Sequence, residues 1–189
     1  ELWDVAFDDA LLEINAHAFT YCPKLRDVFL GQNTRSLGDY AFQGCVNLYD
    51  MDLPDSITSI GTYCFNGTSA FNSAQDIVYI DDWAVGLKQN IYQGLLIKAG
   101  TRGIANYFCY NGMVLGGIDL PDSVEYIGRA AFYNSTYTTA FRLPANLKII
   151  GDYAFYGCSA AWFGDNGVTV IPASTQTIGR SAFYNCMMM

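Results

Sequence analysis

The stretch Ile150-Gly-Asp-Tyr-Ala-Phe-Tyr-Gly-Cys158 decides the fold, because it recurs along the chain. Copies begin at Ile14, Leu37, Ile60, Ile104, Ile127, Ile150 and Ile178, separated by 23, 23, 44, 23, 23 and 28 residues. A near-constant short period is the mark of a solenoid, in which each unit buries its apolar strip only against its neighbours. A second block keeps register with the first. Seven residues before each starting Ile or Leu stand Phe7, Leu30, Leu53, Ile97, Leu120, Leu143 and Ile171. Two positions earlier come Val5, Val28, Met51, Leu95, Ile118, Phe141 and Thr169. Residues alternating at i, i+2 describe a strand with one face inward and one face outward. Turns follow at Pro54-Asp55-Ser56, Pro121-Asp122-Ser123 and Pro144-Ala145-Asn146. Proline fixes φ there and removes a ladder donor.

The remaining columns carry the packing. Phe19, Phe42, Phe65, Phe132, Phe155 and Phe183 are expected to stack as an internal ladder, each preceded by a small residue. Gly38, Gly61, Gly128, Gly151 and Gly179 share a column with Asn15 and Ala105. Gly and Asn tolerate positive φ, so a left-handed turn is expected there, with Ala105 the exception. At Phe108-Cys109 the small-then-large order is reversed, which reads as local repacking. Each unit is therefore a short strand, a turn, an Ile-Gly step and a compact helical Tyr-Ala-Phe turn. The expected fold is an α/β solenoid of about seven 23-residue repeats, with a parallel sheet on one face and short helical turns on the other.

Leu48-Tyr-Asp-Met-Asp-Leu-Pro-Asp-Ser-Ile-Thr-Ser-Ile-Gly-Thr-Tyr-Cys-Phe65, with the stretch at 150–158, resembles the BspA-type leucine-rich repeat, and the resemblance covers nearly the whole chain. It implies a right-handed leucine-rich-repeat superhelix. Members of that family are mostly surface or secreted proteins of anaerobic bacteria and some protists, and several resemble adhesins. The resemblance thus implies an extracellular or cell-surface location and fixes no ligand.

The 44-residue interval holds 21 residues more than one period. Ile80-Asp-Asp-Trp-Ala-Val85 can be laid over the repeat as a degenerate copy, or Ile77–Ile80 and Trp83–Leu87 can form a hairpin turning at Asp81-Asp82. The preceding Thr68–Ala74 lacks the strand ladder, which favours the hairpin, as do similar Tyr-Ile-x-x-Trp-Ala-Val-Gly insertions in the family. The insertion spans 68–94, and a smaller one lies at Trp162–Gly167. Insertions in a solenoid often carry binding; the alternative is a tolerated loop excursion. Leu2, Val5 and Phe7 already sit in strand register, and the chain stops just after Cys186. Residues 1–189 are accordingly expected to form one solenoid domain, a window of a longer array.

Composition excludes several classes. Of 189 residues, 51% are hydrophobic and only 15% charged, which is incompatible with disorder. Ten basic against 18 acidic side chains leave a net charge of −8, so a basic surface for nucleic acid is absent. The excess is local: residues 1–82 hold 13 acidic and 3 basic side chains, and residues 83–189 hold 5 and 7. No apolar run is long enough to cross a membrane as a helix, and residues from Glu1 onward carry no basic and apolar leader pattern, as expected of a sequence from which a leader has been removed or trimmed. The single histidine, His17, occupies the column of Tyr40, Tyr63, Tyr107 and Tyr153, and no nucleophile elbow, phosphate loop or zinc motif is found. The chain is read as neither an enzyme nor a binder of cofactor or metal. Cys22, Cys45, Cys158 and Cys186 share the column after Phe and are read as buried free thiols in a small slot rather than as disulfides.

By register, the outward residues of the first rungs gather Asp27, Asp50 and Asp52 around Phe29, with Arg26 and Tyr49 close by. An acidic patch with aromatics suits a basic protein segment or Ca²⁺, and its alternative is a solvating, edge-blocking surface. The candidate contacts are Asp27, Phe29, Tyr49, Asp50 and Asp52, with Trp83 in the insertion. The function expected is adhesin-like binding of a protein ligand by a monomeric, non-catalytic module. Two alternatives stand beside it: a rigid structural spacer, and a carbohydrate-binding module resting on Trp83, Tyr92 and Trp162.

Overall fold

Apolar alternation becomes parallel pairing. The structure, a computed structural model, describes residues 2–72, 75–88, 94–112, 116–135, 138–158 and 170–186. The smaller insertion at Trp162–Gly167, Tyr92 and Thr169 lie outside the described residues. The chain forms two compact units, Glu1–Lys88 and Gln89–Met189.

The first unit contains β1 (Asp4–Ala6), β2 (Glu13–Ile14), β3 (Asp27–Phe29), β4 (Ser36–Leu37), β5 (Ser59–Ile60), β6 (Ile77–Ile80) and β7 (Trp83–Leu87). β1 and β3 pair in parallel with Val5 opposite Val28 and Ala6 opposite Phe29. β2, β4 and β5 form a second parallel ladder in which Ile14, Leu37 and Ile60 stand in line. Each of these three is nearly inaccessible to solvent. The second unit contains β8 (Leu95–Leu96), β9 (Gly103–Ile104), β10 (Gly116–Asp119), β11 (Tyr126–Ile127), β12 (Thr138–Phe141), β13 (Ile149–Ile150) and β14 (Thr177–Ile178). β8, β10 and β12 pair in parallel, as do β9, β11, β13 and β14 in that order. Where both blocks form strands, a period thus pairs with its neighbour twice; around Met51 and Ile171, among the described residues, only the second block, at β5 and β14, is a strand.

The third side of each rung corrects the expectation of helical turns. Among the described residues the only helix is a 3₁₀ segment at Ser69–Asn72, so the architecture is a β-solenoid with turns, not α/β. The reason lies in where the N–H groups go. Those of His17, Phe19 and Tyr21 donate to the Asp39, Ala41 and Gln43 carbonyls of the next rung at 2.7–3.0 Å. Those of Ala18, Thr20 and Cys22 close turns onto residues three positions back. The same alternation runs through Tyr40, Phe42 and Gly44, and through Tyr153, Phe155 and Gly157. A helix needs every N–H for its own i−4 carbonyl; here half are committed to the neighbouring rung. Backbone angles agree: His17, Tyr40, Tyr63, Tyr107, Ala130, Tyr153 and Ser181 all take left-handed φ between 51° and 62°.

Positive φ thus falls on the tyrosine column, not on the Ile-Gly step. The glycines there serve close approach instead. A Cβ on Gly61 would lie 2.3 Å from the carbonyl carbon of Gly38, and one on Gly38 would lie 2.4 Å from the Ala16 nitrogen. Asn15 and Ala105, which break the column, each stand in the first rung of their own unit.

The phenylalanine ladder forms as expected. Phe19, Phe42 and Phe65 stack with centroids 5.3 and 5.6 Å apart, and Phe132, Phe155 and Phe183 with 5.5 and 5.3 Å. Where the order is reversed, Phe108 meets Phe132 edge-on at 74° and both Phe108 and Cys109 remain buried. The insertion is the hairpin: β6 and β7 run antiparallel, with Ile80 opposite Trp83 and Asp81 at φ 50° in the turn. No helix among the described residues is long and apolar enough to cross a membrane.

Candidate functional site

Period-2 alternation dictates which side chains leave the first unit's strand face. Val28, Met51 and Leu53 point into the core, so Asp27, Phe29, Asp50 and Asp52 must point out. All four are exposed and line one groove of about 540 Å³. Phe29 is 61% exposed, a large apolar ring among carboxylates. Pro54 turns the chain at the groove's edge and brings Asp55 into the lining, with Gln32 from the preceding rung. Asp55 and Gln32 escaped sequence reasoning because they belong to turns, where alternation no longer assigns a face.

Tyr49 is 67% exposed but is not among the groove's lining residues. Arg26 is turned away by a specific contact: its guanidinium lies over the Trp3 ring, 4.7 Å from the centroid, and the Lys24 ammonium lies 5.2 Å from it. Such cation–π contacts hold the two cations at the edge of the rung. The groove lining itself carries carboxylates and no basic side chain.

The hairpin is tied to this face. Asp81 Oδ2 accepts the Leu53 N–H at 3.0 Å, and the Asp81 N–H reaches Asp50 Oδ1 at 3.4 Å. Asp50 Oδ1 also accepts the Met51 N–H at 2.9 Å. Trp83, by contrast, is fully buried and belongs to the core. Neighbouring Ala84 and Val85 are buried too, so both faces of this end of β7 are covered and the indole offers no surface to a ligand. Of the aromatic set weighed for carbohydrate, Tyr92 and Trp162 lie outside the described residues.

The other chemistry-bearing groups have structural partners. His17 stacks on Tyr40 with centroids 5.0 Å apart and rings 6° from parallel, and its Nδ1 lies 3.3 Å from the Thr20 hydroxyl. All six cysteines are free. In the column after Phe they do more than fill space: the Cys45, Cys158 and Cys186 thiols donate to the Phe19, Phe132 and Phe155 carbonyls one rung back at 3.0–3.1 Å. Ser135, in the same column, donates to the Cys109 carbonyl at 3.0 Å. Burial pushes the Cys109 thiol up to about 11 and the Cys158 thiol up to about 12, the opposite of an activated nucleophile. Among the described residues no three His, Cys, Asp or Glu side chains converge to hold a metal ion.

The family model for the BspA type leucine rich repeat region matches residues 1–85 and 102–188, in six copies. No curated protein matches the chain. Among solved structures, it is similar to a leucine rich cell surface protein from Faecalibacterium prausnitzii, at 22% identity over 100% of this chain and 52% of that one, with a TM-score of 0.58. It is also similar to a leucine rich repeat protein of T. pallidum, at 21% identity over 100% of this chain and 78% of that one, with a TM-score of 0.44. A leucine-rich repeat protein from Bacteroides ovatus follows at 18% identity over 99% of this chain and 59% of that one, with a TM-score of 0.35. The chain thus spans about half the length of the F. prausnitzii protein, and the likeness to it is one of fold. Two sequence blocks per rung, a phenylalanine ladder and matches over both units lead to one conclusion: the chain belongs to the BspA-type leucine-rich repeat family.

Proposed function

We propose that this chain is a non-catalytic binding module working at the cell surface or outside the cell, and that the acidic face of its first unit receives a positively charged segment of another protein. The observation that carries this reading is the groove of about 540 Å³, walled by Asp27, Asp50, Asp52 and Asp55 with Phe29 standing exposed among them. Carboxylates of one sign in a concave site focus the field and speed the arrival of a cationic partner. An exposed aromatic then supplies the apolar contact that slows its departure. The location rests on the family and on the F. prausnitzii relative, itself described as a cell surface protein.

The test uses an immobilised Lys/Arg-rich peptide and the full chain at rising salt. Binding is expected to weaken as salt rises, because charges separated by more than a Debye length are screened. It is also expected to weaken in the Asp27→Asn/Asp52→Asn pair. Equal binding by the wild type and the pair, at every salt concentration, would remove this face from consideration.

A further inference from the structure

Four tyrosines of the second unit stand one above another on its turn side. Tyr110, Tyr133, Tyr156 and Tyr184 occupy the position after the buried Phe, or after Cys109 where the order is reversed, and each is at least partly exposed. Ring centroids are 5.0, 4.6 and 4.9 Å apart along the column, with planes 22°, 2° and 13° from parallel. The same column in the first unit holds Thr20, Gln43 and Asn66. Inward phenylalanines need this spacing to build a core; these partly exposed tyrosines do not. Tyr110 is 42% and Tyr184 59% exposed, and the two middle rings are partly exposed.

We propose that Tyr133 and Tyr156 are a site of oxidative modification, where a one-electron oxidant of the haem-peroxidase and hydrogen peroxide class joins the two rings as an intramolecular dityrosine. Each phenol loses one electron and its hydroxyl proton, giving a phenoxyl radical with spin on the carbons ortho to oxygen. Two such radicals couple through their π faces, forming a carbon–carbon bond between one Cε of each ring. Each ring then moves the hydrogen from that carbon to its oxygen, which restores both phenols. The pair has lost two electrons and two protons in all, and one peroxide takes them up as two waters.

Geometry selects this pair. Tyr133 and Tyr156 are the closest and most nearly parallel of the column, whereas Tyr40 and Tyr63 in the first unit are 5.7 Å apart and tilted by 38°. Rung-to-rung hydrogen bonds hold the stack: the Asn134 N–H donates to the Tyr156 carbonyl at 2.7 Å and the Phe132 N–H to the Ala154 carbonyl at 2.8 Å. The Tyr133 phenol is pushed above its ordinary value by burial and by the neighbouring phenols.

The experiment treats the dilute full chain with a haem peroxidase and limiting hydrogen peroxide, reading dityrosine emission, intact mass and cross-linked peptides. The expected product is a monomer lighter by two hydrogens, with Tyr133 joined to Tyr156. Tyr156→Phe keeps a ring in the stack and is expected to cut the emission by more than half, whereas Tyr63→Phe leaves it unchanged. Undiminished emission in both Tyr156→Phe and Tyr133→Phe overturns the proposal. So does a principal cross-link that maps to other tyrosines, or one that joins two chains.

Discussion

Asp81 supplies through its side chain the acceptor that a following rung would supply through its backbone: its Oδ2 takes the Leu53 N–H at 3.0 Å. In the first rung the equivalent donor, the Phe7 N–H, bonds the Phe29 carbonyl at 2.9 Å. The hairpin interrupts the period after Leu53, and a buried N–H left without a partner is costly. Asp81→Ala is therefore expected to destabilise the chain by about 1–2 kcal/mol in chemical denaturation, from the orphaned donor. Asp81→Asn keeps an acceptor and tolerates the left-handed turn at φ 50°, so its loss should be clearly smaller. Equal losses for Ala and Asn would show that charge, not acceptance, holds the turn.

Gly61 and Gly100 are both required, for different reasons. Gly61 has no room: an added Cβ would lie 2.3–2.6 Å from Gly38 and Asp39 backbone atoms that cannot swing away. Gly100 has nothing within 4 Å but sits at φ +85°. Gly100→Ala should cost about 1–2 kcal/mol of backbone strain. Gly61→Ala must push adjacent rungs apart and should cost more, at or beyond the upper end of the usual range of about 1–3 kcal/mol for overpacking. Urea titration of both variants gives the ranking, and the reverse order would refute the close-approach account.

These glycines also mark what could be read in advance and what could not. The strand columns were legible because burial repeats every second residue, and Val28, Met51 and Leu53 lie inside as that period requires. The same alternation placed Asp27, Phe29, Asp50 and Asp52 outside. The hairpin was legible from two β-rich runs flanking Asp81-Asp82. The helical turn was misread because local composition cannot reveal that the Phe19 and Phe42 N–H groups bond a different rung. Nor does tyrosine advertise the left-handed φ that Tyr40 and Tyr153 adopt. Glycine has two uses, and the sequence alone favoured the wrong one at the Ile-Gly step. That Trp83 is buried was not legible, because an aromatic in an insertion has no register to say which face it takes.

The cysteine column gives a pH-dependent expectation. Cys158 is raised from 9.0 to about 12, first by burial and then by the neighbouring Cys186 thiol. A raised folded-state value means the folded chain prefers the neutral thiol, so its contribution is complete below 9.0 and is lost as pH climbs from there towards 12. Stability measured by denaturation should fall over that alkaline window. Cys158→Ser removes that thiol and retains a donor for the Phe132 carbonyl, as Ser135 does one rung earlier, so it should lessen the fall with little change at neutral pH. Cys158→Ala should lessen the alkaline fall too but be less stable at neutral pH, by about 1 kcal/mol for the lost bond. A thiol reagent should reach Cys64, Cys109 and Cys158 only after unfolding.

Steering and contact on the acidic face can be separated by kinetics. Asp52 lines the groove, whereas Asp50 also accepts the Met51 N–H at 2.9 Å and so does structural work. Asp52→Asn is thus the cleaner charge deletion. Electrostatics acts mainly on encounter, so this variant should lower the association rate for a Lys/Arg-rich peptide and flatten its salt dependence, with no change in thermal midpoint. Phe29, 61% exposed, holds most of its ring in solvent, so its substitution tests surface contact more than core packing. Phe29→Ser should leave association nearly unchanged and speed dissociation, because apolar contact is lost only once the partner is seated. Surface plasmon resonance reads both rates. A purely solvating surface predicts neither effect, and a change in dissociation from Asp52→Asn with none from Phe29→Ser would place the contact elsewhere on the face.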